Sequence, residues 1–213
     1  SLSGEYSGSY LKVMADYRRI VVKTGTNVLT GGSGDLDLKV MSSLVDQIAR
    51  LRREGREILL VTSGAIAAGR HVLGAKKERR DVTFRQMLAA VGQSRLMHTY
   101  QELFDQHDLL VAQALLTRAD ISERQGYLSV RDSLMGLLEL GVVPIINEND
   151  VVTSEELDEA AFGDNDTLSV LLANLMDADL LVMLTDTGGL YTADPNLDAE
   201  AELIPRVEII DSS

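Results

Sequence analysis

The sequence predicts an α/β fold in which a mainly parallel sheet is covered by helices, and three observations carry that prediction. From Arg19 onward, short β-branched runs alternate with longer amphipathic stretches, the pattern of strands joined by helical crossovers. The strand candidates are Ile20 to Lys23, Glu57 to Thr62, Leu110 to Leu116, Val142 to Asn147 and Asp179 to Thr185. All are nearly continuous in apolar residues, as strands buried on both faces require. Finally, Gly55 and Gly141 stand where a helix must stop before the next strand, the place of a left-handed C-cap.

Between the strands, apolar residues recur at helical spacing. Leu38, Met41, Leu44, Val45, Ile48 and Leu51 form the first set, and Phe84, Met87, Leu88 and Val91 the second. Val130, Leu134, Leu137 and Leu138 form the third, and Leu168, Leu171, Leu172 and Leu175 the fourth. Two segments stand apart. Residues 1–16 are rich in Ser, Gly and Tyr without period and read as a disordered tail, which leaves 17–213 as one domain. Val151 to Gly163 is acidic, follows a strand end and suits a hairpin or lid.

Composition narrows the functional classes. A chain of 213 residues with 45% hydrophobic content can bury a full core. It has no Cys, hence neither disulfides nor thiolate metal sites, and a cytoplasmic setting is the expectation. Its apolar runs are far short of the roughly 18 residues that cross a bilayer, so no membrane association is expected. The net charge of −13 argues against nucleic acid, whose binding rests on clustered Lys and Arg. The basic run Lys76 to Arg80 reads as a solvated loop. His71, His98 and His107 share no metal-ligand spacing, and no metal-ligating residues are assigned.

In an open α/β sheet, ligands bind at the carboxyl ends of the strands, and five strand ends here carry polar or glycine residues. The first runs Lys23, Thr24, Gly25, Thr26, Asn27: a glycine turn that lets backbone N–H groups approach a phosphate, beside a Lys point charge. The plain alternative is a Lys that ends a strand. The second is VTSGAIAAG, Val61 to Gly69, where small residues leave a helix N-terminus open to an anion or allow tight packing. Neither is a Walker A loop, and no dinucleotide fingerprint occurs. Asn147-Glu148-Asn149-Asp150 and Gly163-Asp164-Asn165-Asp166-Thr167 are two acid-amide clusters, richer than helix caps demand. They offer carboxylates for an ammonium group and amides for a carboxylate. The fifth is LTDTGGLYTADP from Leu184, a strand opening into a glycine turn that suits a purine and ribose.

Taken in order, VVKTGTNVLTGG, VTSGAIAAGR, AAVGQSRL, LLTRAD, VVPIINENDVV, FGDNDTLS and LTDTGGLYTADP resemble the blocks of glutamate 5-kinases in the amino-acid kinase family, from Arg19 to about Asp211. The resemblance implies a three-layer αβα sandwich with ATP and amino acid side by side at the strand ends. It implies transfer of the γ-phosphate of ATP to the side-chain carboxylate of L-glutamate, the first step of proline biosynthesis, with Mg²⁺ as the companion ion. Lys23 then resembles the phosphate-binding lysine and Asp166 the acid that organises it. Ser63, Gly64, Asp150, Asp164 and Asn165 stand at the glutamate positions, and Gly25, Thr185 and Asp186 join Lys23 at the ATP positions. An ionised carboxylate needs no general base, so catalysis would rest on alignment and charge cover.

The resemblance also implies a homo-oligomer and feedback inhibition by proline. The family continues with a Gly-Thr-Gly-Gly-Met-x-Thr-Lys block that supplies a second lysine, and many relatives add a PUA module. Neither occurs in these 213 residues, so the domain reads as C-terminally incomplete. The competing expectations are a kinase of the same family acting on acetylglutamate or aspartate, and a non-catalytic glutamate- or proline-binding module.

Overall fold

The computed structural model describes residues 17–74, 81–152 and 165–207. The tail expected at 1–16, the basic run and all but Val151 and Val152 of the segment expected as a hairpin or lid, Val151 to Gly163, lie outside the described residues. Five strands form one sheet: β1 (Arg19–Thr24), β2 (Glu57–Thr62), β3 (Val111–Leu116), β4 (Val143–Glu148) and β5 (Leu180–Leu184). Their spatial order is β3-β4-β2-β1-β5 and every pairing is parallel. The helices are α1 (Thr26–Thr30), α2 (Leu38–Arg53), α3 (Ala65–Val72), α4 (Val82–Asp105), α5 (Arg118–Ser122), α6 (Arg124–Glu139) and α7 (Asn165–Leu175).

Alternation along the strands sends residues to two helical layers. Ile20, Val22, Ile58 and Leu60 pack with Met41, Val45 and Ile48 of α2 and with Leu96, Tyr100 and Phe104 of α4. Val21, Leu59, Val61 and Ile146 pack on the other face with Leu134 and Leu138 of α6 and Leu168, Leu172 and Leu175 of α7. This is the three-layer sandwich.

The prediction of strands buried on both faces holds for β1, β2 and β4 and fails for the other two. In β3, Gln113 is exposed, and in β5 Met183 is 41% exposed. Both are edge strands, and an apolar run does not reveal whether a second strand lies on each side.

Helix ends follow local chemistry. The Asp37 carboxylate accepts from the N–H groups of Lys39 and Val40 at the start of α2, and Asp81 accepts from Phe84 at the start of α4. Gly55 and Gly141 adopt φ of 83° and 77°, the left-handed geometry expected of them.

The small residues of α3 serve packing against another helix. A Cβ on Gly69 would lie 1.9 Å from the carbonyl oxygen of Leu88, and Gly92 presses equally closely on Ala65, so α3 and α4 meet backbone to backbone. That contact fixes where the start of α3 sits relative to the sheet.

Candidate functional site

The register places Thr24 beside both Thr62 and Leu184, and Leu116 beside Glu148, so the carboxyl ends of all five strands share one rim. The chain winds from β1 through β2 to β3 and β4 on one side, then returns to place β5 on the other side of β1. The reversal between β1 and β5 is the kind of switch point where such sheets open a crevice.

A cavity of about 300 Å³ lies there, lined by Lys23, Gly25, Asn27, Asp166, Thr185 and Asp186 among others. Lys23 continues the Val21 face of β1 and so meets α7, where its ammonium is in direct contact with the Asp166 carboxylate. Lys23 is only 12% exposed along its side chain and Asp166 54%, so the lysine is enclosed while its partner reaches solvent. Asn27 Nδ2 donates to Asp186 Oδ2 at 2.8 Å, tying α1 to the loop after β5. Sequence reasoning gave Asn27 no role of its own, since only the fold brings it to Asp186. Gly25 has an ordinary φ of −83°, so its missing side chain matters for the room it leaves in the cavity.

A second cavity of about 610 Å³ opens beside β3 and β4, lined by Ala65, Gln93, Met97, Gln113, Leu115 and Asp150 among others. Burial pushes the Asp150 carboxyl above the ordinary range, with the positive charge of Arg85 pulling the other way.

Ser63 follows the end of β2 and Asn165 opens α7, on the same rim of the sheet. Asn165 Nδ2 donates to Ser63 Oγ at 2.9 Å and to Asn147 Oδ1 at 3.2 Å, and Asn147 Nδ2 donates to Gln93 Oε1 at 2.9 Å. Asn165 is 4% exposed, and its Oδ1 has no hydrogen-bond partner among the described residues. A buried carbonyl oxygen without a donor marks a place for a ligand donor such as an ammonium group. Ser63 Oγ, already accepting from Asn165, retains its own hydrogen to donate. Gly64 adopts φ of +100°, which only glycine takes readily, and this turns the chain from β2 into α3 directly after Ser63.

Behind Ser63, Thr62 follows the opposite face of β2 and meets α4. Tyr100, fully buried, holds its hydroxyl 2.9 Å from Thr62 Oγ1, which donates to the carbonyl of Ser63 at 3.1 Å. With the Thr62 hydrogen so used, the Tyr100 hydroxyl is the donor to Thr62, and burial raises its pKa far above the ordinary phenol value.

The structure thus brings Lys23, Gly25, Asp166, Thr185 and Asp186 to one cavity and Asp150 to the other, with Ser63, Gly64 and Asn165 on the same rim. Asp164 lies outside the described residues. No group of three or more acids or histidines able to hold a metal ion occurs among the described residues, and none of their helices is long and apolar enough to cross a membrane.

A rim of glycine turns, an enclosed lysine held by an acid and a neighbouring amide cluster, on this sheet order, define an α/β protein with an open crevice at the carboxyl ends of its parallel strands. The chain belongs to the amino acid kinase family, whose model matches residues 18–211. It is similar to the glutamate 5-kinase of Dehalococcoides mccartyi, 55% identical over 194 residues that make up 91% of this chain and 52% of that protein. It is also similar to those of Herpetosiphon aurantiacus, 54% identical over 91% of this chain and 52% of the relative, and Moorella thermoacetica, 50% identical over 91% and 50%. The chain therefore spans about half the length of these curated relatives.

Proposed function

We propose that this chain carries the glutamate site and part of the ATP site of a glutamate 5-kinase, transferring the γ-phosphate of ATP to the side-chain carboxylate of L-glutamate. The observation that carries this reading is the contact between Lys23 and Asp166 in a cavity that also holds Thr185 and Asp186, one residue along α7 from the unpartnered carbonyl of Asn165. The resemblance to glutamate 5-kinases supplies the identity of the acceptor.

In this reading ATP lies over the ends of β1 and β5, with Thr185 and Asp186 toward the nucleoside. Lys23 neutralises phosphate charge, and Asp166 keeps its ammonium aimed. The amino acid lies on the amide side: its ammonium pairs with Asn165 Oδ1 and Asp150, and its carboxylate accepts from Ser63 and the backbone at Gly64. Because the attacking carboxylate is ionised at neutral pH, the protein's work is alignment and charge cover. Mg²⁺ commonly binds through one or two carboxylates with phosphate and water completing its shell, and Asp166 and Asp186 on the first cavity suit such an ion, which would offset phosphate charge. Residues 17–213 then act as one kinase-domain unit, with a cytoplasmic setting, a homo-oligomeric state and proline sensitivity as companion expectations.

The deciding experiment incubates the purified protein with ATP, Mg²⁺ and L-glutamate and traps the acyl phosphate with hydroxylamine. A hydroxamate that forms with glutamate and with neither acetylglutamate nor aspartate supports the reading. Hydroxamate from either of those acceptors in place of glutamate overturns it.

A further inference from the structure

Four side-chain amides form a relay that crosses the sheet rim. Asn165 Nδ2 donates to Asn147 Oδ1, Asn147 Nδ2 donates to Gln93 Oε1, and Gln93 Nε2 donates to Gln113 Oε1 at 2.9 Å. Every amide donates in the same direction, from α7 through β4 and α4 to the edge strand β3. A one-way relay has a defined polarity, and here it leaves the outermost oxygen, Asn165 Oδ1, buried and without a donor among the described residues. Turning the relay round would present an NH₂ group at that point and reverse what the site accepts.

Asn147 is the buried middle of the relay, and its amide plane is held at both ends. Its oxygen also accepts the N–H of Glu148 at 2.8 Å, and its nitrogen has Gln93 as acceptor. Gln93 follows Gly92, the glycine that seats α4 against α3, so its backbone position is fixed by a contact between main chains. Its orientation in turn comes from exposed Gln113, which takes up the Gln93 NH₂ group and leaves Oε1 to face Asn147.

We propose that Gln93 is a positioning residue: it fixes the polarity of this relay and thereby aims Asn165 Oδ1 at the ammonium group of the amino-acid substrate. The role rests on the glutamate reading above and adds to it a determinant of substrate orientation. Removing the Gln93 acceptor leaves a buried NH₂ of Asn147 unsatisfied and its plane held at one end only, so Asn165 loses its fixed aim.

The test compares binding of L-glutamate with binding of glutarate, which keeps both carboxylates and lacks only the α-ammonium, by calorimetry on the purified protein. The ratio of the two dissociation constants measures how well the site recognises the α-ammonium group. In Gln93→Met, which keeps size and removes the acceptor, the ratio falls by about tenfold, the effect of leaving one buried polar group unpaired. Nucleotide affinity stays unchanged. In Gln93→Glu the ratio is retained, because the carboxylate still accepts from Asn147 and exposed Gln113 is free to rotate its NH₂ toward it. Gln113→Ala, at a solvent-exposed position, gives a second reading if Gln93→Met does not fold: loss of one amide contact lowers the ratio about threefold. An unchanged ratio in Gln93→Met, or in Gln113→Ala where it replaces that variant, overturns the positioning role alone. A wild-type protein that does not discriminate glutamate from glutarate overturns the glutamate reading and this role together.

Discussion

Gly92 of α4 lies so close to Ala65 of α3 that a Cβ at Gly92 would come within 1.7 Å of the Ala65 carbonyl oxygen. Backbone cannot give way as a flexible side chain would, so Gly92→Ala must push the two helices apart. The expected cost is about 3 kcal/mol or more, at the upper end of overpacking effects, read as a lower urea midpoint. Gly136 in α6 has nothing within 4 Å of an added Cβ and is a matched control. Gly136→Ala is expected to stabilise by about 0.5–1 kcal/mol through helix propensity. Equal effects at the two positions would show that helix contact is not what Gly92 serves.

Lys23→Ala is expected to lower kcat by about 10²–10³ with little change in the glutamate KM, as for loss of a donor to transferring charge. Steady-state kinetics with each substrate varied checks this. A near-normal kcat would remove Lys23 from the transition state.

Asp150→Asn separates binding from stability. Burial makes the fold disfavour the charged carboxylate, so the folded protein holds that proton to higher pH than the unfolded chain does. The stability contributed by Asp150 therefore declines as pH rises from the ordinary carboxylate value through its raised one. At neutral pH the unliganded Asn variant is expected to melt at a higher temperature than wild type while its glutamate KM rises. In wild type, glutamate affinity weakens as acid protonates Asp150, beginning at a higher pH than an ordinary aspartate would give. An Asn variant with unchanged KM counts against contact between Asp150 and substrate.

Tyr100→Phe deletes the hydroxyl that donates to Thr62 and leaves a buried oxygen short of one partner. The expected loss is about 1–2 kcal/mol, measured by denaturant unfolding. Because Thr62 also bonds the Ser63 carbonyl, a modest rise in glutamate KM accompanies it. A stability equal to wild type would mean that the Thr62 hydroxyl finds another donor.

Much of this architecture is legible in the sequence because burial writes itself into composition. Ile58 to Val61 and Val143 to Ile146 are continuous apolar runs because both faces of β2 and β4 are covered. Gly55 and Gly141 show where helices end because few other residues adopt their φ. The polar strand ends were visible as departures from those apolar runs. Edge position was not, since β5 has the same apolar run whether or not another strand lies beside Met183. The purpose of Gly69 and Gly92 was also hidden, because a glycine that admits a ligand and one that admits a helix look alike. Gln93, Asn147 and Gln113 are distant in sequence and fall on α4, β4 and β3, so only the pairing of β3 with β4 under α4 shows that their amides form one relay.

The unpartnered carbonyl of Asn165 gives the ligand-free protein an unmet bond that a bound ammonium would complete. Ligand that binds only the folded state raises the folded population by mass action. The amount of this protein that survives heat or proteolysis should then rise with the concentration of whatever ammonium-bearing ligand the site takes, so that the unliganded protein is also the shorter-lived one.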